Sequence, residues 1–444
     1  MSSNANTIPS ESPTNPVAAS GWHWAPAFVL AFVALFPAPG YAEGILVLGS
    51  LFAIARLLMT KFRGGEELLS GPAWALTSVL FFAYWLPQFF SSFDAINSSG
   101  AITKVLKGLR YLPFLWLAAS AVATPRNRHV TFKGLAIIVG IWVLDALAQV
   151  LFGTSPVFWG IDALKLVIDG HRMCTPEEIA ALDRLSGFLG ACNLKLGQVV
   201  ASFSPFLLFF VSQRGTKIAW IIAAALIGVV ILLAGSRGSW ITYGIVLLLS
   251  GWRVLGSKGL LGIMLFGALS LVAMYFTVPQ VKQRVDRTMT ALTGDNDGVD
   301  NALSGRGRIW SAAGCMIAEH PVNGVGIRGF RDAFEKCDPE PGSLEEWGEG
   351  PAFHAHQIVL EILSETGILG LILWLMGAAM AIRAWRYAPP YAKQRSLPAM
   401  WALVATVFPL NTSLAFYSTF WGSVTLLLSA LYVGALLARD QESA

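Results

Sequence analysis

The chain contains little charge. Only 13% of its 444 residues are Asp, Glu, Lys or Arg, whereas a soluble globular protein carries about 25%. Hydrophobic residues make up 55% of the sequence, so the chain could not cover a water-facing surface. This composition excludes a soluble enzyme, a disordered protein and a collagen-like fibre. It predicts an all-α polytopic membrane protein.

Several motifs are also missing from the sequence. It has no Gly-rich loop ending in Gly-Lys-Ser or Gly-Lys-Thr, so nucleotide-driven transport is not indicated, and it has no Gly-x-Ser-x-Gly nucleophile elbow. The first predicted outer loop, residues 38–41, lacks the acidic pair of a metal-dependent membrane glycosyltransferase. The net charge of +4 comes without a basic tail or an aromatic–basic stripe. We therefore expect no nucleic-acid partner.

About twelve apolar segments approach the roughly 20 residues that a straight membrane span needs. They lie near residues 25–38, 42–59, 72–90, 107–123, 133–152, 193–212, 217–234, 238–254, 258–278, 357–384, 397–411 and 416–438. Basic residues recur in alternate short connections, at Lys61 and Arg63, Arg126, Arg128 and Lys133, Arg214 and Lys217, Arg253 and Lys258, Arg383 to Arg395, and Arg439. Because such residues favour the cytoplasmic side, both termini are predicted to be cytoplasmic.

This topology divides the chain into membrane blocks and outer segments. The predicted membrane helices fill residues 25–152, 193–278 and 356–438, and the outer segments are 153–192 and 279–355. The second outer segment holds turn signals and a helix-like piece at 309–318, which predicts a partly helical cap. Two tails remain: residues 1–24, rich in Ser, Pro and Asn and predicted to be disordered in the cytoplasm, and residues 439–444.

All four cysteines, Cys174, Cys192, Cys315 and Cys337, fall in the two outer segments. An oxidising compartment would allow disulfides there. Of the three possible connectivities, Cys174–Cys192 with Cys315–Cys337 is favoured because it requires no contact between the two segments. The alternative is four free thiols without a role.

The first candidate functional residue is Arg237, within Gly235-Ser236-Arg237-Gly238-Ser239. It is predicted at the outer end of its span, against the cytoplasmic bias of arginine. A charge at membrane depth is costly and therefore marks a candidate functional site, and a guanidinium suits phosphate oxygens. The alternative is an arginine that reaches outer lipid headgroups or forms a buried salt bridge.

A second candidate lies in the large outer segment. Arg306 and Arg308 alternate with glycines just before an apolar, helix-like stretch, a pattern that suits an anion held at the start of a helix. The alternative is that both arginines are solvated loop residues.

The third candidate is the sequence from His354 to Gln357, where the large outer segment re-enters the membrane. If this segment is helical, His356 shares a face with Gly367 and Gly370, where another helix can pack closely. The imidazole would then point into the bundle, where a neutral histidine can accept a proton. Alternatives are a histidine bonded to a backbone carbonyl, or a metal site at His354 and His356, for which no third ligand has the usual spacing.

Two carboxylates follow on the same predicted helix, Glu361 and Glu365, which would project roughly opposite His356. A carboxylate at that depth needs a partner or a water-filled cavity. We interpret both as structural.

At these positions the chain resembles the O-antigen ligase and polymerase superfamily of bacterial envelopes. Three patterns carry the resemblance: Ser236-Arg237-Gly238 opening a span; Ser304-Gly305-Arg306 with Trp310, followed by His320-Pro321, Gly324-Val325-Gly326 and Phe330; and His356-Gln357 nine residues before Gly367-Ile368-Leu369-Gly370. Together they cover about residues 235–375. Arg308 is not part of the family pattern.

The resemblance implies a glycosyltransferase without cofactor or metal. A ligase of this type would move O-antigen polysaccharide en bloc from undecaprenyl diphosphate to lipid A–core, with inversion, on the periplasmic side of the bacterial inner membrane. By carry-over, His356 is the general base, and Arg237 and Arg306 bind the diphosphate. Arg308, His354 and Gln357 are secondary candidates.

Three alternatives remain open at this point. A polymerase that joins lipid-linked repeats and a protein O-oligosaccharyltransferase share the same chemistry, although length and span number most resemble a ligase. A transporter of lipid-linked sugars is of a different class. It would need the arginines but no proton acceptor.

Overall fold

The structure is a computed structural model that describes residues 21–64, 67–290, 306–340, 352–412 and 415–439. Within these ranges the chain is helical and contains no strand, which confirms the predicted all-α class. Several sequence predictions fall outside the described residues: most of the N-terminal tail, nearly all of the C-terminal tail, Ser304 and Gly305 of the arginine motif, and the turn signals of the large outer segment.

Seventeen α-helices make up the described parts of the chain. In chain order they are α1 (Ala25–Ala34), α2 (Pro39–Arg63), α3 (Gly71–Phe93), α4 (Ser98–Gly108), α5 (Tyr111–Ser120), α6 (Pro125–Phe152), α7 (Pro156–Asp169), α8 (Pro176–Ala180), α9 (Leu196–Arg214), α10 (Lys217–Ala234), α11 (Arg237–Thr277), α12 (Pro279–Thr290), α13 (Arg306–Glu319), α14 (Phe330–Cys337), α15 (Ile358–Tyr387), α16 (Pro390–Thr406) and α17 (Thr419–Leu436). Short 3-10 helices lie at Gly21–Trp24 and Gly187–Leu189.

Eight helices of the described residues are long and apolar enough to cross a membrane: α2, α3, α6, α9, α10, the part of α11 up to Gly262, α15 and α17. This confirms a polytopic membrane protein. The other four predicted spans coincide with α1, α5, the C-terminal part of α11 and α16. The first two have only 10 residues each, fewer than a straight span needs.

The helix α17 lies at the centre of the bundle. Most of its side chains are buried, and it packs against α3, α5 and α16. Close approach to α5 depends on Gly434, where an added Cβ would lie 2.1 Å from the carbonyl oxygen of Ala119. A small residue at that contact lets the two backbones meet.

The cap consists of α13 and α14, which bury a small apolar core of their own that includes Ile309, Met316, Phe330 and Phe334. A disulfide between Cys315 and Cys337 joins the two helices, and Cys174 is bonded to Cys192 in the other outer segment. Both predicted pairings are therefore confirmed. We call the side of the bundle that carries these segments the cap side.

A break in α15 connects the cap to the bundle. Gly367 has φ +65°, and an added Cβ would lie 2.1 Å from the carbonyl oxygen of Val322 in the cap connection. Around this break the cap connection and α15 exchange backbone hydrogen bonds, from Val325 N to Ser364 O (2.8 Å) and from Ile368 N to Pro321 O (2.9 Å). Only glycine adopts this conformation at low cost, so Gly367 allows the cap to dock.

Candidate active site

A cavity of about 920 Å³ opens on the cap side. It is bounded by the turn between α10 and α11, the start of α13, the approach to α15 and the start of α17. Arg237, Arg306, His354 and His356 all line it. Residues from three separate sequence motifs therefore meet at one place.

Arg237 reaches the cavity through a tight turn between two membrane helices. Gly235 ends α10 in the left-handed conformation, with φ +73°. Ser236 precedes α11, and its carbonyl oxygen accepts a hydrogen bond of 2.6 Å from the Ser239 hydroxyl. Arg237 is thus the first residue of α11. Its charge lies at a helix N-terminus, whose backbone N–H groups also favour an anion.

Arg306 is the first residue of α13. Its Nη1 donates a hydrogen bond of 2.8 Å to the hydroxyl of Thr412. Burial lowers the pKa of Arg306, and the positive charge of Arg237 lowers it further. Because a guanidinium remains charged at neutral pH, Arg237 and Arg306 place two permanent positive charges in the cavity, and these charges repel each other. An anion placed between them would relieve that repulsion.

His356 lies just before α15, in a strained backbone conformation. Its φ of +53° is rare for a residue with a side chain, and such strain is often found at functional sites. Within the described parts of the chain, its buried Nδ1 has no hydrogen-bond partner. Burial and the charge of Arg306 lower the pKa of His356 to about 4. The imidazole is therefore neutral at neutral pH and able to accept a proton.

The prediction that His356 lies on a helix, on the same face as Gly367 and Gly370, is wrong. The helix begins at Ile358 and is broken at Gly367, so a regular turn of 100° per residue does not relate His356 to the two glycines. The residue faces a cavity because of its own backbone conformation. Gly367 serves the cap contact instead.

His354 stacks obliquely on His356, with ring centroids 3.9 Å apart. Burial and the neighbouring imidazole lower the pKa of His354, so this histidine is also neutral at neutral pH. Among the described residues, clusters of three possible metal ligands occur only around the two disulfides, at Cys174 and at Cys315. Sulfurs in a disulfide do not act as thiolate ligands.

Sequence reasoning missed further cavity residues, chiefly Lys195. This lysine lines the cavity, with its Nζ 5.3 Å from the ring centroid of Phe420, and burial lowers its pKa. Asp183 is the one carboxylate among the described lining residues, and it pairs with Arg184 at 2.8 Å. The signal for Lys195 was present, because it is a cation at the outer end of a predicted span.

Two secondary candidates lie outside the cavity lining. Arg308 donates to Asp338 through both Nε (2.6 Å) and Nη2, and Nη2 also donates to the carbonyl oxygen of Glu340. Gln357 caps α15: its Oε1 accepts from Leu360 N at 2.6 Å. Arg308 thus stabilises the cap, and Gln357 fixes the start of the helix that follows His356.

The carboxylates Glu361 and Glu365 are buried, and each accepts a hydrogen bond from a backbone N–H group. Glu361 Oε1 accepts from Tyr417 N at 2.9 Å, and Glu365 Oε2 accepts from Arg328 N at 2.8 Å. They therefore hold two connections of the cap side against α15. This agrees with the structural role expected from the sequence.

The fold and the site define a multi-pass membrane protein with a cationic, histidine-bearing cavity on one side. Residues 222–375 match the family model described as O-antigen ligase, and this region includes Arg237, Arg306 and His356. This match, over about a third of the chain, supports membership of the O-antigen ligase and polymerase superfamily, a family of glycosyltransferase-like enzymes that act on polyprenyl-linked sugars. No curated protein matches the chain.

The two arginines of the α13 motif should respond differently to substitution. Arg308→Gln removes one partner of an ion pair whose side chains are only 8% and 7% exposed, and breaking such a pair costs about 3–5 kcal/mol. Arg306→Gln removes one hydrogen bond at the edge of an open cavity. We expect thermal unfolding in detergent to show a large loss of stability for the first variant and a small one for the second. The opposite order would contradict this assignment.

Proposed function

We propose that the protein is a ligase that moves O-antigen polysaccharide en bloc from undecaprenyl diphosphate to lipid A–core in lipopolysaccharide biosynthesis. The observation that carries this proposal is the convergence of Arg237, Arg306 and His356 on one cavity. The family match supports a substrate linked to a polyprenyl carrier.

In this proposal Arg237 and Arg306 bind the diphosphate of the donor. Because both guanidinium groups are positively charged, a dianion bound between them is favourable. Guanidinium groups donate charge-assisted hydrogen bonds to phosphate oxygens. As the bond to the carrier breaks, negative charge grows on the leaving diphosphate, and the same donors stabilise it.

His356 acts as the general base for the acceptor. A sugar hydroxyl is a poor nucleophile until its proton is removed. The hydroxyl oxygen attacks the anomeric carbon of the donor, its proton passes to the imidazole, and the electron pair of the broken C–O bond stays on the diphosphate oxygen. A single displacement of this kind inverts the anomeric centre. The chemistry calls for neither a cofactor nor a metal.

The proposed location is the bacterial inner membrane, with both termini in the cytoplasm and the cavity facing the periplasm. The basic residues of the short connections support this orientation. The disulfide at Cys315–Cys337 and that at Cys174–Cys192 support it independently, because disulfides persist in the periplasm and are rare in the cytosol.

A polymerase of lipid-linked repeats or a protein O-oligosaccharyltransferase would use the same residues with a different acceptor. The loss-of-function phenotype distinguishes a polymerase from a ligase. Loss of a ligase leaves long lipid-linked polymer unattached, whereas loss of a polymerase leaves single repeats. A transporter of lipid-linked sugars would require no proton acceptor at His356.

Substitution of His356 tests the proposed chemistry. We expect His356→Ala to lower transfer by about 10²–10⁴-fold, the usual contribution of a general base, and Arg237→Lys to impair transfer because a point charge replaces a planar fork. The measurement is transfer by purified protein in chelator, with defined lipid-linked donor and acceptor. His129→Ala, which changes an exposed histidine of α6, is the matched control. Wild-type transfer by folded His356→Ala protein would rule out the base role.

The lowered pKa of His356 predicts an unusual dependence of activity on pH. With a pKa near 4 in the free protein, the base is already deprotonated through the range where an ordinary histidine, with a pKa of about 6.5, would still titrate. We expect the acid limb of kcat/KM to lie near pH 4. The limb of kcat should lie higher, since a bound diphosphate favours the imidazolium. An acid limb of kcat/KM at or above pH 6.5 would contradict this account.

A further inference from the structure

A second cavity, of about 320 Å³, lies on the cap side between α3, α4, the cap connection and the start of α17. Four basic side chains line it: Lys104, Lys107, Arg110 and Arg328. Neither the sequence motifs nor the proposed catalytic mechanism involves these residues.

The charges of the second cavity are poorly balanced. Among the described residues that line it, Glu43 is the single carboxylate, and it pairs with Arg110 at 2.8 Å. In the parts of the chain that the structure describes, no carboxylate forms an ion pair with Lys104, Lys107 or Arg328. Among the described lining residues, four cations therefore face one carboxylate, while Asp332 and the buried Glu365 act on Lys104 from outside the lining. Partial desolvation lowers the pKa of Lys104, which is otherwise exposed, and repulsion from Arg328 lowers it further.

Arg328 is held in place by its own backbone. Its φ of +55° makes it one of two described residues other than glycine with positive φ, and the other is His356. Glu365 Oε2 accepts a hydrogen bond of 2.8 Å from Arg328 N, and the carbonyl oxygen of the same glutamate accepts one of 3.1 Å from Gly326 N. A strained conformation persists only where the surroundings enforce it. Here a buried carboxylate enforces the conformation that puts an arginine in the second cavity.

The residues around the second cavity have the composition typical of a protein surface at the lipid interface. The helix α4, which carries Lys104 and Lys107, is amphipathic, and its Leu106 is exposed. Phe93 and Ile96, just before α4, are also more than half exposed. Basic residues beside exposed apolar side chains are typical of helices that lie in the lipid interface. A ligand that reaches this site along the membrane therefore has an apolar anchor and an anionic head.

The two cavities are neighbours. Trp421 lines the first cavity, and the adjacent Gly422 lines the second, so the start of α17 separates them. The charge of Arg328 contributes to lowering the pKa of His354, which places the second cavity within electrostatic reach of the histidine pair. A head group held there lies next to the proposed base.

We infer that the second cavity binds the glycolipid acceptor of the proposed reaction through a phosphate group. Lys104, Lys107 and Arg328 supply charge-assisted hydrogen bonds that suit a phosphate monoester dianion. The aromatic rings of Trp85 and Tyr111, which also line the cavity, provide flat apolar surfaces for a sugar. This inference rests on the proposed function, since it names the acceptor of the same reaction.

Equilibrium binding to His356→Ala protein in detergent tests the inference without turnover. The probes are a phosphorylated glycolipid acceptor and the same glycolipid after phosphatase treatment. We expect Lys104→Gln/Lys107→Gln to raise the Kd of the phosphorylated form by roughly tenfold or more and to leave the Kd of the dephosphorylated form unchanged. Lys336→Gln, which changes an exposed cap lysine, should alter neither. Because Lys104 and Lys107 are exposed, the double variant should fold as the parent does.

Equal Kd changes for both glycolipids, or no change for either, would overturn the inference. Inorganic phosphate distinguishes a lipid head group from free phosphate as the source of the anion. We expect it to compete far more weakly than the glycolipid, and competition at equal affinity would also overturn the inference. If wild-type protein shows phosphate-dependent binding but no transfer to any acceptor, the proposed function fails. If transfer proceeds but the phosphorylated and dephosphorylated glycolipids bind with the same Kd, only the inference about the second cavity fails.

Discussion

The repulsion between Arg237 and Arg306 is the interaction on which the site depends. Each guanidinium is fixed by the first turn of a helix, α11 or α13, and each acts on the other across a partly buried cavity. Lys195 adds a further cation to the same lining. Such an arrangement favours the binding of an anion with two or more charges. The bundle supplies Arg237 and the cap supplies Arg306, so the docking of the cap brings these like charges together.

The helix α15 makes many of the contacts that hold the site residues in place. Its start is capped by Gln357, its buried glutamates bond to the backbone of Tyr417 and Arg328, and its break at Gly367 admits the cap connection. Of the two strained residues, His356 directly precedes Gln357, and Arg328 donates its backbone N–H to Glu365. One helix therefore positions the proposed base and the cationic second cavity together. A mutation in its buried polar groups would disturb both.

The sequence predicted the features that depend on local pattern. Apolar run lengths were sufficient for the helical membrane fold, and the cysteine positions were sufficient for both disulfides. Three short motifs identified Arg237, Arg306 and His356, which the structure brings to one cavity. The distinction between Arg306 and Arg308 was not predictable from spacing, because it depends on Asp338, thirty residues away in sequence and brought close by the cap.

Other failures have equally specific causes. A helical extrapolation through His356 failed because φ +53° lies outside the helical region. Lys195 was missed although it lies at the outer end of the span predicted at 193–212. The second cavity was missed although Lys104 lies in the outer connection between the spans predicted at 72–90 and 107–123, and Lys107 and Arg110 lie at the outer end of the second of these spans, where basic residues are unexpected. Basic residues on the predicted outer side of the membrane could have indicated this cavity. The same kind of evidence identified Arg237 as a candidate.

Equilibrium binding of undecaprenyl diphosphate without its sugar tests the central claim most directly, because it measures anion binding apart from transfer. The account predicts that Arg237→Gln/Arg306→Gln protein, folded in detergent, binds this lipid at least roughly a hundredfold more weakly than wild type. Binding of uncharged undecaprenol should be the same for both proteins. Unchanged affinity of the double variant for the diphosphate lipid would show that these arginines do not bind the carrier.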